Sequence, residues 1–549
     1  MHRISLRLLT AVILGGSLFI IGWSVWHSFQ LAQAFKHANW NQAALSAKLA
    51  HPPVKVMSVV TGHAVPDLEV WNASLELSQS ALRATALANA SADGSNSPAG
   101  VLFDGRPFLT ELPAINTQVG VITDQLPRTW VIRKWLSAPV LQLIPSSAKL
   151  LSQLTPTLQS LTTGTHRWLV LFQNHHELRP TGGFMGSYAV LTVVEGQLLE
   201  VAVEDIYDAD GQFTGYIAAP PGVQEYLSSN HGLRLPDANW DADFPTSAQT
   251  VLKYFALSDR THIDLVAAVT LDLAQQVLAV TGPIYLPDYQ TSVNSETLPT
   301  VLGSHRNNYF PGSIQKKHML AHLLTQLRLT ASTLSQTQIT QLLNLAHNSF
   351  EAKSIQIFGV DPVTQSQLED AGVSGALPGD TQDLVALVEA NVGINKSNRA
   401  VTRSYDLDLD QYRVGVSTLF TNGNAPLDAQ ALANLPASSS AHLAYVNYQR
   451  VLVPASWQVS EITFDGQSIS DWHERIFQTD TQTLKEIGLL IVVPELSSRR
   501  LSLEFSTPPS TQDLIMFKQA GVPPSAYSVK RASGQVESGI LESDVVLAR

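Results

Sequence analysis

Residues 175–188 read HHELRPTGGFMGSY, in which two histidines, a glutamate and an arginine run into a proline and three glycines. Each type has a use in chemistry. A guanidinium such as that of Arg179 is a rigid fork of donors matched to phosphate or carboxylate. Gly182 and Gly183 allow backbone amides to converge on an anion. His175 and His176 can titrate near neutrality. A second segment, EDIYDADG at 204–211, gathers Glu204, Asp205, Asp208 and Asp210. These are oxygen ligands suited to a hard cation such as Mg²⁺. Arg234, Asp237 and Asn239 lie in LRLPDANWDADFP at 233–245, and Lys396 and Arg399 in NVGINKSNR at 391–399.

Two readings of these segments stay open. In the first, Arg179, Gly182, Gly183, Arg234, Lys396 and Arg399 bind a phosphate or pyrophosphate. Glu204, Asp205, Asp208 and Asp210 then hold Mg²⁺, which neutralises charge during phosphoryl transfer. In the second, Arg179 pairs structurally with Glu177 or Asp205, the glycines merely turn the chain, and Asp243 caps the helix that follows it.

The elements that must position these residues show in the patterning. RWLVLF (167–172), FMGSYAVLTVV (184–194) and QLLEVAVEDI (197–206) predict a three-stranded meander with a tight turn at Glu195-Gly196. Strand direction alone then carries the loop 173–183 and the acidic loop 204–211 to the same end of the sheet. Helical spacing marks 245–257, 271–281, 315–332 and 336–349, and a helix follows near 363–371. IDLVAAV, IQIFG and DLVALVEA (383–390) read as further strands, and IYL as a short one. The fold class expected is α/β, an α+β sandwich with a mixed sheet, over 163–400. From 401 to 549 helix signals fade and strands separated by turns predict a β-sandwich-like C-terminal domain. Residues 28–162 read as a helical stalk or packing region, with a small-polar linker near 90–100.

The chain has 549 residues, a net charge of −12 and no cysteine. That length implies two or three domains. The acidic balance argues against a general nucleic-acid partner. The absence of cysteine excludes disulfides, thiolate nucleophiles and iron–sulfur clusters. His318 and His322 have metal-ligand spacing on a helix but no acidic partner, so they read as a solvated face. No nucleophile elbow, Walker loop or dinucleotide fingerprint is present.

At the N-terminus, Leu8–Trp26 is an uncharged apolar run. It approaches the ~20 residues a helix needs to span a bilayer. Arg3 and Arg7 precede it, and Trp23 and Trp26 sit at its far end, the arrangement of a signal anchor with the body of the protein outside the cytoplasm. A cleaved signal peptide is the competing reading, and the run is long for one. Residues 1–27 are thus expected to form a cytoplasmic tip and transmembrane anchor.

ELRPTGGFMGSYAVL, EDIYDADG, DANWDADFPTSA and GPI resemble a family of uncharacterised membrane-anchored bacterial envelope proteins. The resemblance continues through EANVGINKSNRAVTRSYDLDLD and NYQRVLVP and covers roughly 165 to 520. It implies an extracytoplasmic place in the cell envelope, with no activity to carry over. A fainter resemblance, in the segment from DANW to GPI, is to the LytR-CpsA-Psr phosphotransferases, which act on polyprenyl-pyrophosphate-linked glycan. Arg179 stands where those enzymes carry an arginine. Thr181 stands where they have an aspartate, and Val203-Glu204-Asp205 replaces their Pro-Arg-Asp. The expectation is a non-catalytic binding or scaffold protein of the envelope, with envelope glycan or a polyprenyl phosphate as the ligand. The alternative is a Mg²⁺-dependent phosphotransferase of the LytR-CpsA-Psr kind.

Overall fold

The apolar and alternating runs between 165 and 270 become strands of one mixed sheet, while the run from 383 onward builds a second, all-β layer pair. The computed structural model describes most of residues 103–548 and scattered positions between 50 and 80. The apolar run Leu8–Trp26, the start of the helical region, the linker near 90–100 and His318 lie outside the described residues. Among the described residues no helix is long and apolar enough to cross a membrane.

The chain divides into two units. The first comprises Met1–His166, Leu191–Val201 and Thr325–Leu345. Its helices α1 (Arg106–Gln125) and α2 (Ala138–Ser160) lie within the expected helical region 28–162, and α2 continues through Pro139 and Pro145. A small apolar cluster holds Val70, Ala73, Ile122 and Leu126. The Glu195-Gly196 turn lies here, with both residues at positive φ, 49° and 76°. That is the geometry of a tight hairpin turn, and glycine meets it without strain.

The second unit comprises Arg167–Val190, Ala202–Leu324 and Ala346–Arg549. Its first sheet is built on β1 (Thr165–Asn174), β2 (Phe184–Val194), β3 (Gln197–Asp205), β4 (Leu265–Thr270) and β5 (Ile355–Gly359), in the order β3-β2-β1-β4-β5. The stretches Thr165–His166 and Leu191–Val201 of these strands fall in the first unit, where the two-residue strand Phe103–Asp104 pairs with β3. β1 runs parallel to β4, with Gln173 opposite Thr270 at their carboxyl ends, and β5 is antiparallel to β4. Helix α3 (Phe244–Ala256) buries Phe244, Ala248, Val251 and Phe255 on one stripe. They join Leu169, Leu171, Tyr188 and Val266 in the core. Each fully buried side chain of this kind stabilises by roughly 1.5–3 kcal/mol. Asp243 caps α3 as expected, accepting from Thr246 N at 3.0 Å. Helix α4 (Leu271–Thr281) follows β4 directly.

The short strand expected at IYL, Ile284–Leu286, pairs antiparallel with Thr291–Val293. The strands from 383 onward form two sheets closed on one apolar core. The strands are β6 (Asp383–Asn391), β7 (Val401–Leu409), β8 (Arg413–Asn422), β9 (Tyr445–Pro454), β10 (Gln458–Phe464), β11 (His473–Gln478), β12 (Thr483–Val493), β13 (Ser497–Ser506), β14 (Leu514–Phe517), β15 (Ser525–Arg531), β16 (Val536–Leu541) and β17 (Val545–Leu547). One sheet runs β10-β13-β8-β7-β15-β16, with the two-residue strand Gln467–Ser468 outside β10; the other runs β11-β12-β9-β6-β14-β17. Leu387, Val451 and Ile487 from one sheet meet Leu407, Val416 and Leu503 from the other.

One boundary moves. β6 was expected in the α/β domain ending at 400, yet it lies inside the six-stranded sheet, antiparallel to β9 and parallel to β14. A continuous apolar run marks a strand covered on both faces. It does not say whether helices or a second sheet supply the cover.

Candidate functional site

The loop between β1 and β2 is buried where the first sheet meets the sandwich. Arg179 is 1% exposed. Its Nε donates to Asp237 Oδ1 at 2.9 Å. Nη1 donates to the Asn391 carbonyl at 2.6 Å and the Leu178 carbonyl at 3.2 Å, and Nη2 to Glu177 Oε1 at 3.4 Å. Phe184 lies against the guanidinium. Burial works against the charge, and Asp237 and Glu177 outweigh it, so the pKa is raised. All three guanidinium nitrogens therefore serve protein groups, and the cation is fully compensated.

The neighbours of Arg179 are equally committed. Asn391 N donates to the Leu178 carbonyl at 2.9 Å, which ties the loop to the end of β6. Asn398 Oδ1 accepts from Leu178 N at 3.2 Å. Thr181 Oγ1 accepts from Gln173 and Asn239 at 2.8 and 3.0 Å, and its carbonyl accepts from Gln356 at 2.7 Å. Gln519 bonds both the amide and the carbonyl of Glu389 and reaches the Arg179 carbonyl at 3.4 Å. These side chains satisfy a loop that would otherwise bury bare backbone groups.

The glycines have a steric reason. Gly182 and Gly183 have φ of 131° and 149°, and a Cβ on Gly183 would lie 2.3 Å from the Asn174 carbonyl. The Gly182 amide donates to the Arg179 carbonyl at 2.9 Å, so it closes a turn and is not aimed at an anion. Arg179, Gly182 and Gly183, predicted as an anion cradle, form a buried turn in which the guanidinium and the Gly182 amide meet protein acceptors.

Within the loop 204–211 it is Tyr207 that acts on Arg179, and the carboxylates have partners of their own. Glu204 accepts from the Tyr188 hydroxyl. Asp205 caps the short helix Ile206–Asp210, accepting from Tyr207 N at 3.0 Å. Asp210 is buried, pairs with Arg234 and accepts from Leu235 N at 2.9 Å. Asp208 is half-buried. Among the described residues no group of three or more acidic or histidine side chains is arranged to hold a metal ion. The aspartate that meets Arg179 is Asp237, thirty-odd residues further on.

Lys396 and Arg399 lie beside His176. Arg399 is exposed, and its Nε donates to Asn424 at 3.3 Å. Burial pushes His175 down to about 4. Burial, then His175, Lys396 and Arg399, do the same to His176. Both are therefore neutral at physiological pH, contrary to the expectation of titration near neutrality.

Sequence reasoning missed the amide partners Gln173, Gln356 and Gln519 and the backbone of Asn391, and it named Asn239 without its bonds to Thr181 and Gly183. It also missed Glu389, whose carboxylate takes both Arg403 Nε and Nη2, at 2.7 and 2.8 Å. A signal existed: Glu389 and Asn391 end an apolar strand, and Asn447, Gln449 and Arg450 interrupt another. Polar groups placed inside such runs need internal partners.

Residues 163–305 match the model of a family described as Protein of unknown function (DUF4012). The match includes the R-P-T-G-G segment, the acidic loop and Asp237, and is shorter than the stretch expected from the sequence. No curated protein matches the chain. A solved structure, the Lin1025 protein from Listeria innocua, overlaps 40% of this chain and 84% of its own at 9% identity and a TM-score of 0.22. Similarity at that level carries no argument about fold or function. The likeness to LytR-CpsA-Psr phosphotransferases finds no support among these comparisons, and its anchoring arginine is enclosed.

Proposed function

We propose that this chain is a membrane-anchored protein of the bacterial cell envelope whose body works outside the cytoplasm by binding or scaffolding, without catalysis. The observation that carries the non-catalytic reading is the enclosure of Arg179, whose three nitrogens all donate to protein groups. An arginine that holds a transferring phosphoryl group must present its fork to the ligand. Glu204, Asp205 and Asp210 each accept from a different protein donor, which supports that reading. The anchor rests on the uncharged run Leu8–Trp26 behind Arg3 and Arg7. The envelope location is what the family resemblance implies.

Two experiments test the two halves. A ligand that binds the folded state raises thermal stability in proportion to its occupancy. Purified chain heated with Mg²⁺ and a polyprenyl pyrophosphate is expected to melt at its unliganded temperature, and chain incubated with Mg²⁺ and a polyprenyl-pyrophosphate-linked glycan is expected to release no polyprenyl phosphate; Mg²⁺-dependent release would contradict the non-catalytic reading. A C-terminal reporter that is active only outside the cytoplasm is expected to be active and to sediment with membranes. An inactive reporter in the soluble fraction would contradict the anchor.

A further inference from the structure

A groove of about 580 Å³ opens on the seven-stranded sheet beside β10. Small-ligand clefts run from about 300 to 1,000 Å³. Its walls combine an indole, Trp472, with Arg413, Glu461, Glu504 and the hydroxyls of Ser460 and Ser468.

Several features set it apart from an ordinary solvated sheet face. Glu461 stands directly opposite Glu504 in the β10–β13 register. Like charges in that relation destabilise a sheet. The register shifts between Val459 and Glu461, which makes Ser460 an extra residue. Such bulges re-aim side chains and gather beside binding sites. Glu504 Oε2 is hidden from solvent and has no hydrogen-bond partner. It forms an ion pair with Arg413 Nη1 at 3.6 Å, beyond hydrogen-bond reach. On the other side of Glu504 the partner residue is Gly415, where even a Cβ would lie 3.0 Å from Glu504 Oε1. The sheet thus leaves room beside Glu504, whose side chain is 34% exposed and whose Oε2 meets only the Arg413 ion pair.

The lining selects a ligand class. Two carboxylates against one arginine disfavour a phosphate or an acidic sugar. Carboxylates and serine hydroxyls accept from a ligand rich in hydroxyl donors. An indole covers an apolar ring face. We propose that this groove binds a neutral saccharide, with Trp472 against the sugar face and Glu461 and Glu504 accepting from its hydroxyls. The inference deepens the binding role proposed above by naming its ligand class.

Titration calorimetry on the full chain in detergent tests it. The probes are the tetramers of β-1,4-linked N-acetylglucosamine, β-1,4-linked glucose and galacturonic acid. Saturable binding is expected for at least one neutral tetramer, with the acidic one weaker by about tenfold, or ~1.4 kcal/mol. Trp472→Ala is expected to remove binding, and Glu504→Gln to weaken it about tenfold with the melting temperature unchanged. No saturable binding to either neutral tetramer, or variants that both bind like the wild type, would overturn the proposal. Either result leaves the anchor to be judged by its own reporter assay.

Discussion

The R-P-T-G-G loop and the Trp472 groove both gather charged groups, and they use them in opposite ways. In the loop, Arg179 is enclosed and each of its nitrogens meets a protein acceptor. In the groove, two carboxylates face each other and one oxygen of Glu504 makes no hydrogen bond, meeting only Arg413 at 3.6 Å. Only the loop looks like a site in the sequence, because arginine beside paired glycines is what an anion cradle is made from. The difference is one of satisfaction: a polar group already met by protein stabilises the fold, and one left unmet at an opening is available to a ligand.

That contrast can be broken most forcefully at Arg179. Arg179→Met leaves Asp237 and Glu177 without their cation and is expected to cost about 3–5 kcal/mol in equilibrium unfolding. A change below ~0.5 kcal/mol, typical of a surface substitution, would return Arg179 to the ligand-site reading. Next in size is Gly183→Ala, which sets a Cβ into the Asn174 carbonyl at positive φ. It is expected to destabilise by about 2–3 kcal/mol, measured as a fall in the denaturant midpoint with an unchanged m-value.

The histidines sharpen the comparison through pH. His175 and His176 titrate at about 4 when folded, against an ordinary 6.5. The unfolded chain therefore binds more protons between those values, and stability falls as pH drops from 6.5 toward 4. Replacing both by asparagine should flatten that part of the unfolding profile; an unaltered slope would mean the loop is open to water. The smallest effect belongs to the groove. Glu504→Gln is expected to leave stability within ~0.5 kcal/mol of wild type, or to raise it slightly by relieving the like-charge pair. A large loss there would make the groove a structural element like the loop.

Much of the scaffold was legible. The meander, α3, α4 and the strands from 401 onward follow from period and turn residues, and observed strands such as Phe184–Val194 coincide with the predicted ones. Asp243 was legible as a cap because its role is local. What was not legible is which distant carboxylate meets Arg179. Strand direction brought the acidic loop to the correct end of the sheet, but Asp205 and Asp210 are held by nearby backbone amides. That left Asp237 and the Asn391 carbonyl to take the arginine. The placement of β6 failed for a related reason, since its partners β9 and β14 lie far along the chain. The groove was invisible because a cross-strand pair such as Glu461 and Glu504 exists only once the register is known.

The central claim is that Arg179 holds the fold together through Asp237, and a double-mutant cycle tests it most directly. Arg179→Met, Asp237→Asn and the double variant are compared with wild type by equilibrium unfolding. Groups in one buried network show interaction energies of about 0.5–3 kcal/mol. A coupling near the upper end, about 2–3 kcal/mol, is expected for this pair. A coupling indistinguishable from zero would contradict the claim and make Arg179 a candidate ligand-binding residue again.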